Sequence, residues 1–365
     1  MAYSDIKDPS AHFQIATYTG AGANQTVTND GNSDLQPDFL WIKRRNAGYG
    51  HVVVDSNRGL GSSNPPYLAT EATDVENSNQ NWISGVGTDS FTIGINEQNL
   101  SNTSGTYVAY QWKANGGTTS TNTNGAVTST VQVNSDAGFS IVTYTMNSGS
   151  NETVGHGLGV APDIVITKAR QRGDSNGFWS VYTTLIDGSL DYLKLNTTDA
   201  KSDSSLAAPT STVFTGAGSS TASYRSFVAY CFKSIQGYSK FGSYKGNGTG
   251  TSDGTFDGTF VYTGFKPAWL MVKRASYSAG DGWAIWDNAR EPRGTFGSGN
   301  YINNSLNAGS SGAESGNVYD AVDFLSNGFK LRTGRAGSNA SGSTYIYMAF
   351  AENPFVAGGV PTTAR

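Results

Sequence analysis

Three stretches of this chain carry the same landmarks in the same order, and this internal repetition constrains the fold more than any other feature of the sequence. PDFLWIKRR at 37–45, PDIVITKAR at 162–170 and PAWLMVKRA at 267–275 each set a proline before a short, mostly apolar run that ends on a lysine: Lys43, Lys168 and Lys273. A second anchor is TYVAYQWK at 106–113, SFVAYCFK at 226–233 and TYIYMAFAE at 344–352, with evenly spaced alanines at Ala109, Ala229 and Ala349. Between the anchors the order repeats too. Tyr18, Tyr144 and Tyr244 lie upstream of the proline; Tyr67, Tyr192 and Tyr301 follow it; Phe91, Phe214 and Phe329 precede the alanine segment.

The repeated segments read as strands. Phe39, Leu40, Trp41 and Ile42 are apolar on both faces of an extended run, as are Trp269 to Val272, which predicts a strand covered on both sides. The leading proline cannot donate to a ladder and is expected at the strand's first residue. In the second copy Phe227, Ala229 and Cys231 face one way and Val228, Tyr230 and Phe232 the other. Composition agrees: charged residues are 14% and aromatics 12% of the chain, with 46 glycines, which favours strands and tight turns over helices. No amphipathic helix of useful length is visible. The expectation is an all-β chain of three tandem, divergent, jelly-roll-like β-sandwich modules at 1–118, 119–236 and 237–365. The Gly/Ser/Thr stretch 114–129 reads as a flexible linker, and the short 234–240 joint implies that copies two and three pack closely or share a sheet edge.

The chemistry expected from the residues is sparse. Glutamates at 71, 76, 97, 152, 291, 314 and 352 do not form the close pairs that glycoside hydrolysis requires, so no catalytic residue is predicted. Asp38 and Asp163 recur beside the proline but become Ala268 in copy three, while Asp55 and Asp287 align with Thr183; turn capping accounts for an Asp beside Pro. His12, His51 and His156 lack metal-ligand spacing, and His51 aligns with Trp179 and Trp283. The single cysteine, Cys231, lies in an apolar strand and reads as core. Asp30, Asn32 and Asp34 alternate like the start of a calcium loop, yet Leu35 stands where that loop needs glycine and no glutamate closes it; an Asn/Asp turn is the stronger reading. No cofactor is expected. A net charge of −4 with no basic cluster gives no nucleic-acid footprint, and no apolar run is long enough for membrane insertion. Trp82 and Tyr49, aromatics in polar loops, are the candidates for glycan contact.

Five segments, DPSAHFQ at 8–14, NDGNSDLQPDFLWIKRR at 29–45, QGYSKFGSYKGNG at 236–248, DGTFVYTGFKPAWLMVK at 257–273 and SNGFKLR with YIYMAFAENPF at 326–355, resemble a family of virion structural and tail-fibre proteins of marine, cyanobacterial tailed phages, of concanavalin-like jelly-roll type. The resemblance extends over the whole chain. It implies a non-enzymatic particle component, located on the virion, with other virion proteins as partners and a homo-oligomer, a trimer, as assembly state. A fibre-associated surface protein touching host glycan is the first expectation; capsid decoration is the second, because no heptad shaft is visible. A polysaccharide depolymerase is third.

Overall fold

The computed structural model describes residues 4, 6–62, 64–77, 82–172, 176–221, 223, 225–250, 257–277, 282–291, 301–316, 321–354, 356–357 and 360–361. Among these the regular structure is antiparallel strand, apart from 3-10 turns at Pro9–Ala11 and Ser56–Arg58.

Each repeat builds one large sheet in the same order: an opening strand, a closing strand, the proline strand and a return strand. In copy one these are Phe13–Thr19, Thr106–Trp112, Phe39–Arg44 and Val52–Asp55. In copy two they are Phe139–Thr145, Ser226–Phe232, Ile164–Ala169 and Trp179–Thr183, and in copy three Ser239–Lys245, Thr344–Pro354, Phe265–Arg274 and Ala284–Asp287. A smaller outer sheet accompanies each: Gln25–Thr28 with Ser90–Ile93 and Ile83–Gly87, Glu152–Gly155 with Val213–Gly216, and Phe260–Tyr262 with Gly328–Leu331 and Val322–Leu325.

The ladder registers superimpose. Trp41, Ile166 and Met271 pair with Tyr110, Tyr230 and Met348, and two residues on the three lysines pair with Val108, Val228 and Ile346. Two sequence expectations need correction. Ala109 and Ala229 stand opposite Ile42 and Thr167, but the matching place opposite Val272 is Tyr347; Ala349 faces Leu270, two residues along. Side chains alternate with a period of two, so this offset keeps the same face inward and the pattern of apolar residues conceals it. Pro37 and Pro162 lie two residues ahead of their strands, whereas Pro267 sits inside its strand at a register shift, where a missing N–H costs no ladder bond.

Alternation then decides the cores. Leu40 and Ile42, Val165, and Leu270 and Val272 point outward, each set packing with the Phe91, Phe214 or Phe329 of its own small sheet. The opposite face, with Phe39 and Trp41, Ile164 and Ile166, and Trp269 and Met271, enters one cluster shared by all three copies. Modules expected in tandem therefore have a sandwich core each and a common core between them. Burying each of these side chains contributes about 1.5–3 kcal/mol, so the shared cluster is a major part of the molecule's stability. An apolar cavity of about 30 Å³ remains where Trp41, Ile166 and Met271 converge.

The 114–129 segment is not a free tether. Backbone N–H groups of Ala114, Gly116 and Gly117 donate to the Asp38 carboxylate at 2.7, 2.8 and 2.6 Å, and Ser120–Asn122 pairs with Ser129–Asn134 in the sheet of copy two. The sheets of copies two and three stay separate among the described residues.

Candidate functional site

The polar residues that recur in the sequence converge on the boundaries between copies, in a cyclic pattern. After its return strand each copy sends a loop over the next: 69–76 over copy two, 194–201 over copy three, 307–314 over copy one. The loops dock through equivalent backbone bonds, from Glu76 N to Arg170 O (2.6 Å), Lys201 N to Ala275 O (2.8 Å) and Glu314 N to Arg45 O (2.8 Å). The three lysines are buried beneath them. Each ammonium donates to the carbonyl of its own next residue and to one from the overlying loop: Lys43 to Ser311, Lys168 to Thr73 and Lys273 to Thr198, at 3.1–3.2 Å. Burial lowers the Lys43 pKa to about 8, a shift that the neighbouring Glu71 opposes.

The ring at the head of each return strand reaches into the same loop. Trp179 Nε1 donates to Ala69 O (2.8 Å) and Trp283 Nε1 to Lys194 O (2.9 Å). His51 takes this place in copy one, with Nε2 against the Asn307 and Ser310 carbonyls at 3.1 and 3.2 Å. Its Nδ1 accepts from Trp41 Nε1 at 2.8 Å, which fixes the proton on Nε2. Burial holds this imidazole neutral, with a pKa near 3.

The acids that align with each other are structural. Asp55 binds Arg58 at 2.6 Å and accepts the Tyr230 hydroxyl of copy two at 2.7 Å, while Glu76 bridges Arg58 and Arg170. Asp287 binds Arg290 at 2.5 Å and accepts the Tyr110 hydroxyl of copy one at 2.8 Å, while Glu314 bridges Arg290 and Arg45. Asp163, like Asp38, holds the chain that leaves the closing strand, accepting from Ser234 N at 2.8 Å and from Lys233 at 2.7 Å. These carboxylates are committed to packing, not to an open cleft.

The aromatic candidates are partly used inside their own copy. Trp82 stacks on Tyr67 with centroids 4.3 Å apart and 22° between planes, and it packs against the core of copy one. Tyr49 has the Arg44 guanidinium over its ring at 4.8 Å. Each keeps only part of its surface for a ligand. Asp30, Asn32 and Asp34 are exposed, and their loop is shaped from outside the trio: Gln14 bonds Gly31 N and Ser33 O, and Asp8 accepts the Ser33 hydroxyl at 2.6 Å. No group of three or more His, Cys, Asp or Glu side chains is placed to hold a metal among the described residues. His12 bonds Asn134, and His156 accepts from Leu158 N, so the histidines lie apart. Cys231 is buried and its thiol pKa is pushed up to about 12, which disfavours the thiolate.

Over residues 8–354 the chain matches the family described as Domain of unknown function (DUF7483). The chain belongs to that family. Comparison with curated proteins and with solved structures gave no match.

In this DUF7483 chain the outer sheet of copy three carries a feature that the sequence reading passed over. Phe260 and Tyr262 flank buried Val261 and are 44% and 56% exposed. The equivalents of Val261, paired with the same phenylalanine landmark, are Val27 opposite Phe91 and Val154 opposite Phe214. Lining up the copies on those valines would have found the aromatics, because Thr26 and Thr28 or Thr153 and Gly155 stand in their place.

Proposed function

We propose that this chain is a non-enzymatic, surface-exposed structural component of a tailed phage virion, fibre-associated and in contact with host-surface glycan. The carrying observation is where its reactive groups go. Asp55, Arg58, Asp287, Arg290 and the three lysines are buried at boundaries between copies and satisfied there, as expected of a body selected to hold its shape. The likeness of its segments to virion structural and tail-fibre proteins supplies the setting. Association into a homo-trimer with other virion proteins as neighbours belongs to the same reading.

Capsid decoration is the second reading, favoured by the compact closure of three copies on one core without a heptad shaft. Antibody labelling of intact particles viewed by electron microscopy tests both: label at the tail supports the first, label over the head the second, and unlabelled particles refute both. Incubation with host envelope polysaccharide is expected to release no reducing ends; release abolished by replacing one Asp or Glu would overturn the non-enzymatic assignment.

A further inference from the structure

We infer that the outer sheet of copy three is a stacking platform for a neutral polysaccharide, with Phe260 and Tyr262 as its floor. This deepens the surface-protein reading above and rests on it. Alternation puts Phe260 and Tyr262 on the solvent face of one strand, about 7 Å apart. Their ladder partners on that face are Lys330 and Gly328. Gly328 has no side chain to stand beside the rings, and the Phe260 ring extends over it: a Cβ built there would lie 3.1 Å from Phe260 Cε2. The ring therefore reaches across the ladder to Gly328 while nearly half of the residue stays open to solvent.

An ion pair borders the rings. Lys330, the ladder partner of Phe260, binds the exposed Asp257, so a donor and an acceptor of opposite sign flank the apolar floor. Sugar rings match this arrangement, since their C–H faces stack on aromatic rings while their hydroxyls exchange hydrogen bonds with the border. A second protein copy matches it less well. A buried aromatic side chain covers about 150–250 Å² and these two are half open, so together they offer on the order of 200 Å² of the roughly 800 Å² that each partner contributes to a stable interface. The other copies give the internal control, because threonine and glycine occupy the same places and leave no floor.

The test is binding of the full chain to a printed array of neutral oligosaccharides. Phe260→Thr with Tyr262→Thr, which copies the first repeat, is expected to weaken binding at least ten-fold, and Phe260→Trp with Tyr262→Trp to retain it. A wild-type chain that binds no neutral glycan, or a threonine variant that binds as wild type does, overturns the platform. Self-association of the wild type in sedimentation, lost in the threonine variant, would also overturn it and assign the face to a second copy. Particle labelling separates this proposal from the reading beneath it. Labelled particles with glycan binding unaffected by the threonine pair remove the site alone, while unlabelled particles with binding lost support the site and remove the virion assignment.

Discussion

Two of the three boundaries between copies close on a buried arginine, and the third closes on an isoleucine. Where Asp55, Arg58 and Tyr230 meet, and again where Asp287, Arg290 and Tyr110 meet, an ion pair with no exposed side-chain surface is completed by a hydroxyl from the neighbouring copy. At the remaining boundary the equivalent residues are Thr183, Ile186 and Met348. Thr183 satisfies its hydroxyl locally, on Asp163 O at 2.9 Å, and the partly buried Ile186 packs on the shared cluster. Charge has moved outward there: Lys201 gathers Asp187, Asp191 and Asp203 at 2.7–2.9 Å, with Asp187 and Asp203 largely exposed. The same backbone thus accepts either a buried ionic network or an apolar contact. Specific pairing of copies does not require the ions, but a copy that has one ion needs the other.

The largest effect should come from breaking that interdependence. Asp55→Thr alone leaves the buried Arg58 guanidinium with only the longer 3.3 Å ion pair to Glu76 among the described residues and is expected to cost about 3–5 kcal/mol, read by chemical denaturation. Combining Asp55→Thr, Arg58→Ile and Tyr230→Met rebuilds the third boundary at the first and should recover most of the loss. A triple variant no more stable than the single one would show that the networks are not interchangeable.

Next in size is the response to acid. His51 belongs to the boundary between copies three and one and is neutral in the fold, with its pKa near 3 against an ordinary 6.5. The unfolded chain therefore takes up a proton that the fold refuses. Stability is lost as pH falls from 6.5 towards 3, with no contribution above 6.5. His51→Trp, the residue of the other copies, should flatten this part of the stability profile; an unchanged acid limb would contradict the assignment.

Lys43 gives an effect of the same origin over a narrower window on the alkaline side. Its folded pKa of about 8 lies below the ordinary 10.5, so the unfolded chain binds more protons between those values and stability gains as pH rises through that window. Lys43→Met should remove the gain in denaturation curves taken at pH 8 and 10. The smallest effect is expected at the third boundary, where Asp203→Asn removes one exposed ion pair to Lys201; its loss should shrink further in about 1 M salt, unlike that of Asp55→Thr.

Much of the architecture was legible in the sequence. The doubly apolar proline strand, the alternation that places Ala229 and Cys231 on one face and Tyr230 on the other, and the equivalence of Trp41, Ile166 and Met271 all appear in the fold. The surroundings of the surface aromatics are less legible. Trp82 and Tyr49 stood out as aromatics among polar residues, but composition does not show that Tyr67 and Arg44 already cover part of their rings. Phe260 and Tyr262 looked like ordinary strand residues, because an outward aromatic is recognised only once the inward neighbour, Val261, has been placed.

The sequence by itself determined that this chain is all-β, that three copies share one strand order's landmarks, and that both faces of the central strands are covered. These are local properties, set by side-chain type and a period of two. Only the tertiary structure decided what covers each face. Tyr110 meets Asp287 and Tyr230 meets Asp55 across 177 and 175 residues of chain, and no periodicity carries such a pairing. The same distance separates reading from fact for the acids: a carboxylate beside an arginine in sequence becomes a clamp only when a neighbouring copy excludes water and adds the hydroxyl that completes it.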